Sequence, residues 1–451
     1  MRSDMAQKKV VAIHDISCYG RCSLTVALPI LSAAGINVPV IPTAVLSTYV
    51  GPFPNFTYRD MTEDIMPTVE HWKDMCFEFD AVYTGFLGSK DQVDVVRKAI
   101  AMIRGPGTKV YVDPVMADNG ELYSTFGPDF PAEMRKLCGD ADLIMPNITE
   151  LTLMLGEPYK EGPYDEAYIM ELLRKSEALG AKRVVLTGVY FDENELGTAA
   201  YDCGTHQVQY VMKGRIPGYY HGTGDIFGSG LVAALVHGWS LPDAVDIAED
   251  LTISSIMKTL DDGENVKDGV NFESSLSGFG ARVSRVRGHR TITEKKGASN
   301  VSSMASEIWH EAYADMVDKD QTEYMLGKYL SPDSIMEQIY EGAVYEFIIE
   351  NGEDAGFIAF KKDGDRLFLS KFYIKREYRG SGLASYSLRH IVDEARKMGL
   401  RSVYLTVNRN NIKAISAYEH WGFVAVNDMD TDIGDGFFMY DHMMEMPVGK
   451  R

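Results

Sequence analysis

The sequence predicts an α/β chain: a parallel sheet with helices on both faces, followed by a second domain of α+β type. Three observations predict it. Over the first 275 residues, short and continuously apolar runs alternate with amphipathic helical stretches, the pattern of strands buried on both faces and joined by crossover helices. After Phe272 the texture turns to Ser, Gly and basic residues. Beyond that stretch, helices lead into strands joined by tight hairpins. With 451 residues the chain is long enough for two cores. The boundary is expected near residue 280, giving domains 1–280 and 281–451.

The strands of the first domain are read at KVVAIH (Lys9 to His14), INVPVIP (Ile36 to Pro42), DAVYTG (Asp80 to Gly85), KVYVDP (Lys109 to Pro114), DLIMPN (Asp142 to Asn147) and RVVLTG (Arg183 to Gly188). Helical patterns between them include Lys90 to Ile103 and Asp165 to Gly180. Ligands of such sheets bind beyond the carboxyl ends of the strands. Those ends carry His14 and Asp15, Thr84 and Gly85, Asp113, Asn147, and Thr187 with Gly188. Ser274 to Ser303 reads as a linker running into a new first strand. A helix at Ser306 to Val317 and strands across Val344 to Ile374 follow, with Asn351-Gly352 and Asp363-Gly364-Asp365 as hairpin turns.

Composition narrows the function classes. Apolar residues make up 45% and charged residues 24%, as in an ordinary soluble globular protein. No run approaches the eighteen or so apolar residues that span a bilayer. The first residues pass from a polar tail straight into a strand, without the apolar region of a signal peptide. A cytoplasmic location is the expectation. With 45 basic and 65 acidic residues the formal charge is −20, which repels nucleic acid and anionic lipid, so neither is an expected partner. Small anionic cofactors still bind where local amides outweigh distant charge. The five cysteines (Cys18, Cys22, Cys76, Cys138 and Cys203) show neither a disulfide framework nor a complete zinc spacing, and read as reduced thiols, most of them packing residues.

The most informative run is HGTGDIFGSG (His221 to Gly230), followed by the apolar LVAALV. A Gly-Thr-Gly turn entering a helix leaves backbone N–H groups unpaired at the positive end of the dipole, which suits an anion. Asp225 stands in the first turn beside them. An amide cradle with a carboxylate next to it fits phosphoryl transfer to an alcohol, the aspartate taking the hydroxyl proton. A Gly-rich helix start with an acidic first turn fits the same residues without any catalysis.

VAIHDISCYGRCS near the start, VDPVMAD (Val112 to Asp118), PNITEL (Pro146 to Leu151), VLTG (Val185 to Gly188) and HGTGD occur in an order and spacing that resemble the pyridoxal kinase group of the ribokinase superfamily, over roughly residues 8 to 275. The resemblance implies a ribokinase-like fold and ATP-dependent phosphorylation of the 5′-hydroxymethyl group of pyridoxal, pyridoxine or pyridoxamine. It implies Asp225 as general base and Gly222, Thr223 and Gly224 as the anion hole. Asn147 and Glu150 match the residues that organise Mg²⁺ and phosphates, and a capping box gives them a structural role that is compatible with it. Asp113 and Asp118 match positions near Mg²⁺ and phosphate, with Asp113 and Glu150 as the metal carboxylates. Thr187 and Gly188 match the nucleotide side. Members of the group are often dimers, so a homodimer through this domain is an expectation.

Asp15, Tyr49, Val50 and Phe86 fall in the expected substrate pocket. Asp15 stands where serine is frequent, Tyr49 where histidine is frequent and Val50 where threonine is frequent. A carboxylate at position 15 suits a pyridinium nitrogen or an amine, and implies a shift toward pyridoxamine. Tyr219 and Tyr220, after the Pro217-Gly218 turn, can close over a nucleotide or simply pack. The competing readings are a hydroxymethylpyrimidine kinase of thiamine synthesis and a protein that binds the phosphorylated vitamin without making it. No lid cysteine lies between Gly204 and Asp225, and the presence of Asp225 argues against mere binding.

In the second domain, Arg379, Gly382 and Ala384 fit R-x-x-G-x-[GA] between a strand and a helix. Asn411, Ala414, Tyr418 and Gly422-Phe423 follow at the distance expected of the GNAT acetyltransferase superfamily, which roughly residues 284 to 445 resemble. The resemblance implies acetyl-CoA binding by the loop of Arg379, Gly380, Gly382 and Ala384 and by Asn411. It implies pantetheine pairing along Phe372 to Ile374 and a proton for the leaving thiolate from Tyr418. Tyr418 fits a core aromatic equally well. Glu346 and Glu350 are open candidates for the general base, and an inactive acetyl-CoA-sensing module is the alternative.

Overall fold

In the computed structural model, residues 7–50, 53–263, 266–312 and 318–448 are described, and the chain divides into two compact units, 1–284 and 285–451. The first unit begins β1 (Val10–Ser17), α1 (Leu24–Ala33), β2 (Val40–Leu46), β3 (Tyr58–Asp60), α2 (Thr62–Asp74), β4 (Ala81–Thr84), α3 (Lys90–Ile103) and β5 (Lys109–Val112). It continues with a two-residue hairpin, β6 (Ala117–Asp118) and β7 (Glu121–Leu122), then α4 (Phe130–Gly139), β8 (Leu143–Ile144), α5 (Ile148–Leu155) and α6 (Glu166–Ser176). β9 (Arg183–Val189), β10 (Glu195–Asp202), β11 (Gln207–Gly214), α7 (Thr223–Val236), α8 (Leu241–Asp262) and α9 (Leu276–Val283) complete it.

The main sheet has nine strands in the order β11-β10-β9-β8-β5-β4-β1-β2-β3. From β9 to β2 all pairings are parallel, while β10, β11 and β3 are antiparallel additions at the two edges. Chain order reverses between β1 and β4, the switch point at which such sheets open a ligand crevice. Val11, Ile13, Val82, Val110, Val112, Ile144 and Val184, all without exposed surface, form the sheet's contribution to a core shared with α2 to α6.

Three expectations are corrected here. The strand read at Ile36 to Pro42 begins only at Val40 and runs on to Leu46; before it the chain makes a single bridge, Asn37 to Lys9, because Pro39 has no N–H to give a ladder. The strand read at Asp142 to Asn147 shrinks to Leu143–Ile144, since Asn147 is already the N-cap of α5. The stretch Ser274 to Ser303 is not a linker. It holds α9, whose Phe279 and Val283 are buried, then β12 (Arg287–Thr291) and the start of α10 (Lys295–Ala312). Ala298, Val301, Ala305 and Ile308 are buried at helical spacing, and that apolar stripe outweighs the polar composition. The predicted helix end at 313–317 lies outside the described residues.

The second unit continues with α11 (Lys319–Leu330), α12 (Pro332–Tyr340), β13 (Val344–Glu350), β14 (Glu353–Asp363), β15 (Arg366–Ile374), α13 (Leu383–Lys397), β16 (Ser402–Asn408), α14 (Ile412–His420), β17 (Val424–Gly434) and β18 (Phe437–Pro447). Its sheet runs β12-β13-β14-β15-β16-β18-β17, antiparallel except for β15 and β16. Both hairpin turns fall where the sequence puts them; Asn351 and Gly352 are both left-handed, at φ 54° and 85°. The β15–β16 ladder stops at Phe368–Tyr404, and the two strands then part. No helix among the described residues is long and apolar enough to cross a membrane.

Candidate active sites

The first site is built at the carboxyl ends of β1, β5 and β8 and the start of α7. Gly222 is the N-cap of α7 at φ 79°, and a Cβ there would lie 2.2 Å from the Arg21 carbonyl oxygen. Both facts require glycine. Gly224 is exposed with nothing around its Cβ position, and the Thr223 hydroxyl donates to the Tyr220 carbonyl at 3.0 Å. The first turn of the helix therefore keeps open N–H groups facing outward.

Asp225 follows in that turn. Its carboxylate accepts from the Ser23 backbone N–H at 2.9 Å and from the Cys22 thiol at 3.4 Å. Burial raises its pKa, against those two donors. Asp15, 3% exposed, has its pKa pushed up to about 6 by burial, with Asp225's charge adding. One of its oxygens accepts from the Ser17 hydroxyl at 3.2 Å, and the Ser23 hydroxyl works against the upward shift. Asp113 at the end of β5 is also buried, and desolvation followed by the charges of Glu150 and Asp225 holds its pKa well above the usual carboxylate range.

Asn147 and Glu150 form a complete capping box on α5. The Glu150 N–H donates to Asn147 Oδ1 at 2.8 Å and Glu150 Oε2 accepts from the Asn147 N–H at 2.9 Å. Glu150 Oε1 accepts from the Met116 N–H at 3.1 Å, and Asn147 Nδ2 donates to the Ala117 carbonyl at 2.9 Å. The pair thus fastens the 116–117 segment below Asp113. Among the described residues no three acidic, histidine or cysteine side chains are placed to hold a metal ion by themselves. Two buried, mutually repelling carboxylates, Asp113 and Glu150, without a cationic partner still fit Mg²⁺, which takes one or two carboxylates and completes its shell with phosphate and water.

Other expected residues fall around this centre. Asp118 accepts from the Tyr219 hydroxyl at 3.0 Å, so Tyr219 ties the 217–221 loop to the β6–β7 hairpin. Tyr220 turns back onto Pro217. Thr187 is bridged to Asn147, and Gly188 is exposed at φ 77°. Tyr49 is buried, packs against Phe53 and His221 at 5.5 Å each, and donates to the Lys267 carbonyl. Val50 adjoins it, half-buried. Phe86 stands apart from that ring cluster, against Phe126 at 5.6 Å. The sequence reading missed Cys22 and Ser23 as supports of Asp225. No local signal in the sequence marks them; the left-handed backbone of Ser23, φ 55°, shows only in the structure. Their partner lies about two hundred residues away.

The second site lies where β15 and β16 part. A cavity of about 970 Å³ is lined there by Phe372, Ile374, Arg379, Ala384, Asn411 and Tyr418, all expected residues. Along this opening the β16-facing edge of β15 has no ladder partner past Phe368, leaving main-chain groups for an extended ligand. Gly380 and Gly382, at φ 75° and 83°, make the turn into α13, whose N-cap is Gly382. Arg379 donates to the Ile374 carbonyl at 2.9 Å and pairs with Glu311 at 3.0 Å. Asn411 caps α14 by accepting from the Ala414 N–H. Tyr418 packs edge-on to Trp421 and Phe423. Glu346 and Glu350, the open candidates for a base, do not line the cavity: Glu346 is held by His390 at 2.7 Å and Glu350 by Arg287 at 3.1 Å. The cavity carboxylates are Glu311 and Asp441.

The family model described as phosphomethylpyrimidine kinase matches residues 66–270, and that of the acetyltransferase (GNAT) family matches residues 307–423. The chain is similar to a pyridoxine/pyridoxal/pyridoxamine kinase of Bordetella avium, 29% identical over 55% of this chain and 85% of that one. A crystal structure, in a form with pyridoxal, of a candidate phosphomethylpyrimidine kinase from Bacteroides thetaiotaomicron superposes with a TM-score of 0.58. It is 37% identical, over 61% of this chain and 96% of that one. The C-terminal part is 31% identical to a probable spermine N(1)-acetyltransferase of Bacillus subtilis subsp. natto, over 20% of this chain and 59% of that one.

Proposed function

Because the chain belongs to the phosphomethylpyrimidine kinase family, whose relatives here include pyridoxal kinases, and carries a GNAT-family acetyltransferase domain, we propose that it is a bifunctional enzyme. Its first domain phosphorylates the 5′-hydroxymethyl group of a B6 vitamer from ATP, and its second transfers acetyl from acetyl-CoA to an amine. One observation carries the kinase reading: Asp225 is fastened by the Ser23 N–H and the Cys22 thiol beside the glycine-opened start of α7.

In this mechanism the first-turn amides of Gly222, Thr223 and Gly224 neutralise charge growing on the transferred phosphoryl oxygens. Asp225 takes the proton of the attacking hydroxyl. Its raised pKa makes it a better acceptor than an ordinary surface aspartate. Asp113 and Glu150 would hold Mg²⁺, which would supply charge neutralisation on the phosphates. Asp118 and Tyr219 close the loop over the site, and Thr187 and Gly188 border the nucleotide. Tyr49, Val50 and Phe86 shape the vitamer side, and Asp15 faces its ring or amine. In the second domain, the Arg379 to Ala384 turn and Asn411 receive acetyl-CoA, Phe372 to Ile374 pair with its pantetheine arm, and Tyr418 protonates the departing thiolate.

The test is ADP formation by the full chain with pyridoxal, pyridoxine, pyridoxamine and hydroxymethylpyrimidine in parallel. Vitamer-dependent turnover is expected, and Asp225→Asn should lower kcat by about 10²–10⁴-fold with little change in ATP binding. Preference for hydroxymethylpyrimidine would move the assignment to thiamine synthesis. Undiminished turnover in Asp225→Asn would remove the proposed base.

A further inference from the structure

Two oppositely charged groups of the second domain line the same cavity, and neither has an ion-pair partner among the described residues. Lys371 lies three residues past the last β15–β16 pair, Phe368–Tyr404, on the β15 side of the opening. Asp441, on β18, stands opposite Asn408 of β16, four residues past Tyr404. At about 3.3 Å per residue the two are at nearly the same height along the strands, on either side of the opening.

Among the described residues no carboxylate is within ion-pair distance of the Lys371 ammonium, whose hydrogen bond goes to the Ser370 carbonyl at 3.3 Å. No cation among the described residues is within that distance of Asp441, which is 6% exposed; Arg409 and His442 act on it from further off, and both are paired elsewhere, Arg409 with Asp430 and His442 with Asp428. Burial, with the charge of Lys361, lowers the Lys371 pKa to about 8; burial raises that of Asp441, against the charges of Arg409 and His442 and a hydrogen bond from Thr406. The other cavity carboxylate, Glu311, is already taken by Arg379. Trp309, Tyr329, Tyr373 and Trp421 line the same space with flat apolar surface. Desolvated charges are costly unless something pairs with them, so a ligand that brings one charge of each sign complements this cavity.

We propose that the acetyl acceptor is a small molecule carrying both a primary amine and an anionic group, its ammonium docking on Asp441 and its anion on Lys371. This rests on the acetyltransferase reading above. The Asp441 carboxylate takes one proton from the ammonium. The freed nitrogen lone pair attacks the thioester carbonyl carbon of acetyl-CoA, forming a C–N bond. As the tetrahedral centre collapses, the C–S bond breaks, the thiolate takes the Tyr418 proton, and the second nitrogen proton restores the Tyr418 hydroxyl. The products are the acetamide and free CoA, and the proton on Asp441 passes to solvent.

The experiment uses the full chain with acetyl-CoA and matched acceptors that differ only in the anion: tyrosine and tyramine, phosphoethanolamine and ethanolamine, pyridoxamine 5′-phosphate and pyridoxamine. CoA release and product mass are read for each. The anion-bearing member of at least one pair should have a kcat/KM about tenfold higher or more, and the responding pair distinguishes carboxylate from phosphate. Lys371→Met should bring that ratio close to one, and Asp441→Asn should lower kcat about 100-fold at unchanged acetyl-CoA affinity by calorimetry. Equal or faster acetylation of the anion-free amines, or of spermidine, overturns the proposal while leaving the acetyltransferase reading standing. A ratio that survives Lys371→Met overturns it too. Acetyl-CoA binding with transfer to none of these amines overturns both readings.

Discussion

Asp15 shows how a single substitution relative to a family pattern gains physical content from its surroundings. Its carboxylate is buried, and it stands close enough to Asp225 to feel that charge. Two neighbouring carboxylates with a shared desolvation cost favour a cationic substrate group between or beside them. Asp15→Ser should therefore lower kcat/KM for pyridoxamine relative to pyridoxal by about tenfold, one pKa-unit equivalent of interaction. Vitamer competition assays check this, and an unchanged ranking removes the idea. Both residues are legible in the sequence, one by type and one by motif. Their proximity is not, because it arises from a fold that brings position 15 to position 225.

At the scale of elements, α5 and α8 carry the clearest tests. The capping box on α5 also fastens Met116 and Ala117, so Asn147→Ala removes an N-cap and leaves the Ala117 carbonyl without its side-chain donor. A loss of about 1–2 kcal/mol is expected in denaturant unfolding, together with weaker ATP-dependent turnover. On α8, burial pushes the Glu249 pKa up to about 8, against Thr198 and Lys213. The folded chain then holds that proton to higher pH than the unfolded chain does. Stability from this group is complete below the unfolded value near 4.5 and is lost as pH rises to about 8, by at most about 1.4 kcal/mol per pH unit. Glu249→Gln should flatten the fall in melting temperature between pH 5 and 8; an equally steep fall in the variant would show that Glu249 is not its source. Element types were largely readable from period and turn chemistry. Their ends were not, and α10 begins its apolar stripe inside a Ser- and Gly-rich stretch.

For the whole molecule, the residues proposed for each reaction all lie within one of the two units. Asp225→Asn should lower vitamer phosphorylation about 10²–10⁴-fold while acetyl transfer stays within about twofold of wild type, and Tyr418→Phe should lower acetyl transfer while leaving phosphorylation within about twofold, since sites with no shared residues act additively. Assaying both reactions on each full-length variant checks this, and loss of both activities in either variant would show that the sites are coupled.

The sequence by itself determined the two-domain order, the parallel core, the hairpin turns and the glycine-opened loops, because period, turn residues and motif spacing are local properties of a chain. Only the tertiary structure decided which donors hold Asp225, that Glu346 and Glu350 are already paired, and that Lys371 and Asp441 share a cavity. Those facts depend on contacts between residues far apart in sequence and on desolvation, and a burial cost belongs to a packed interior before it belongs to any residue.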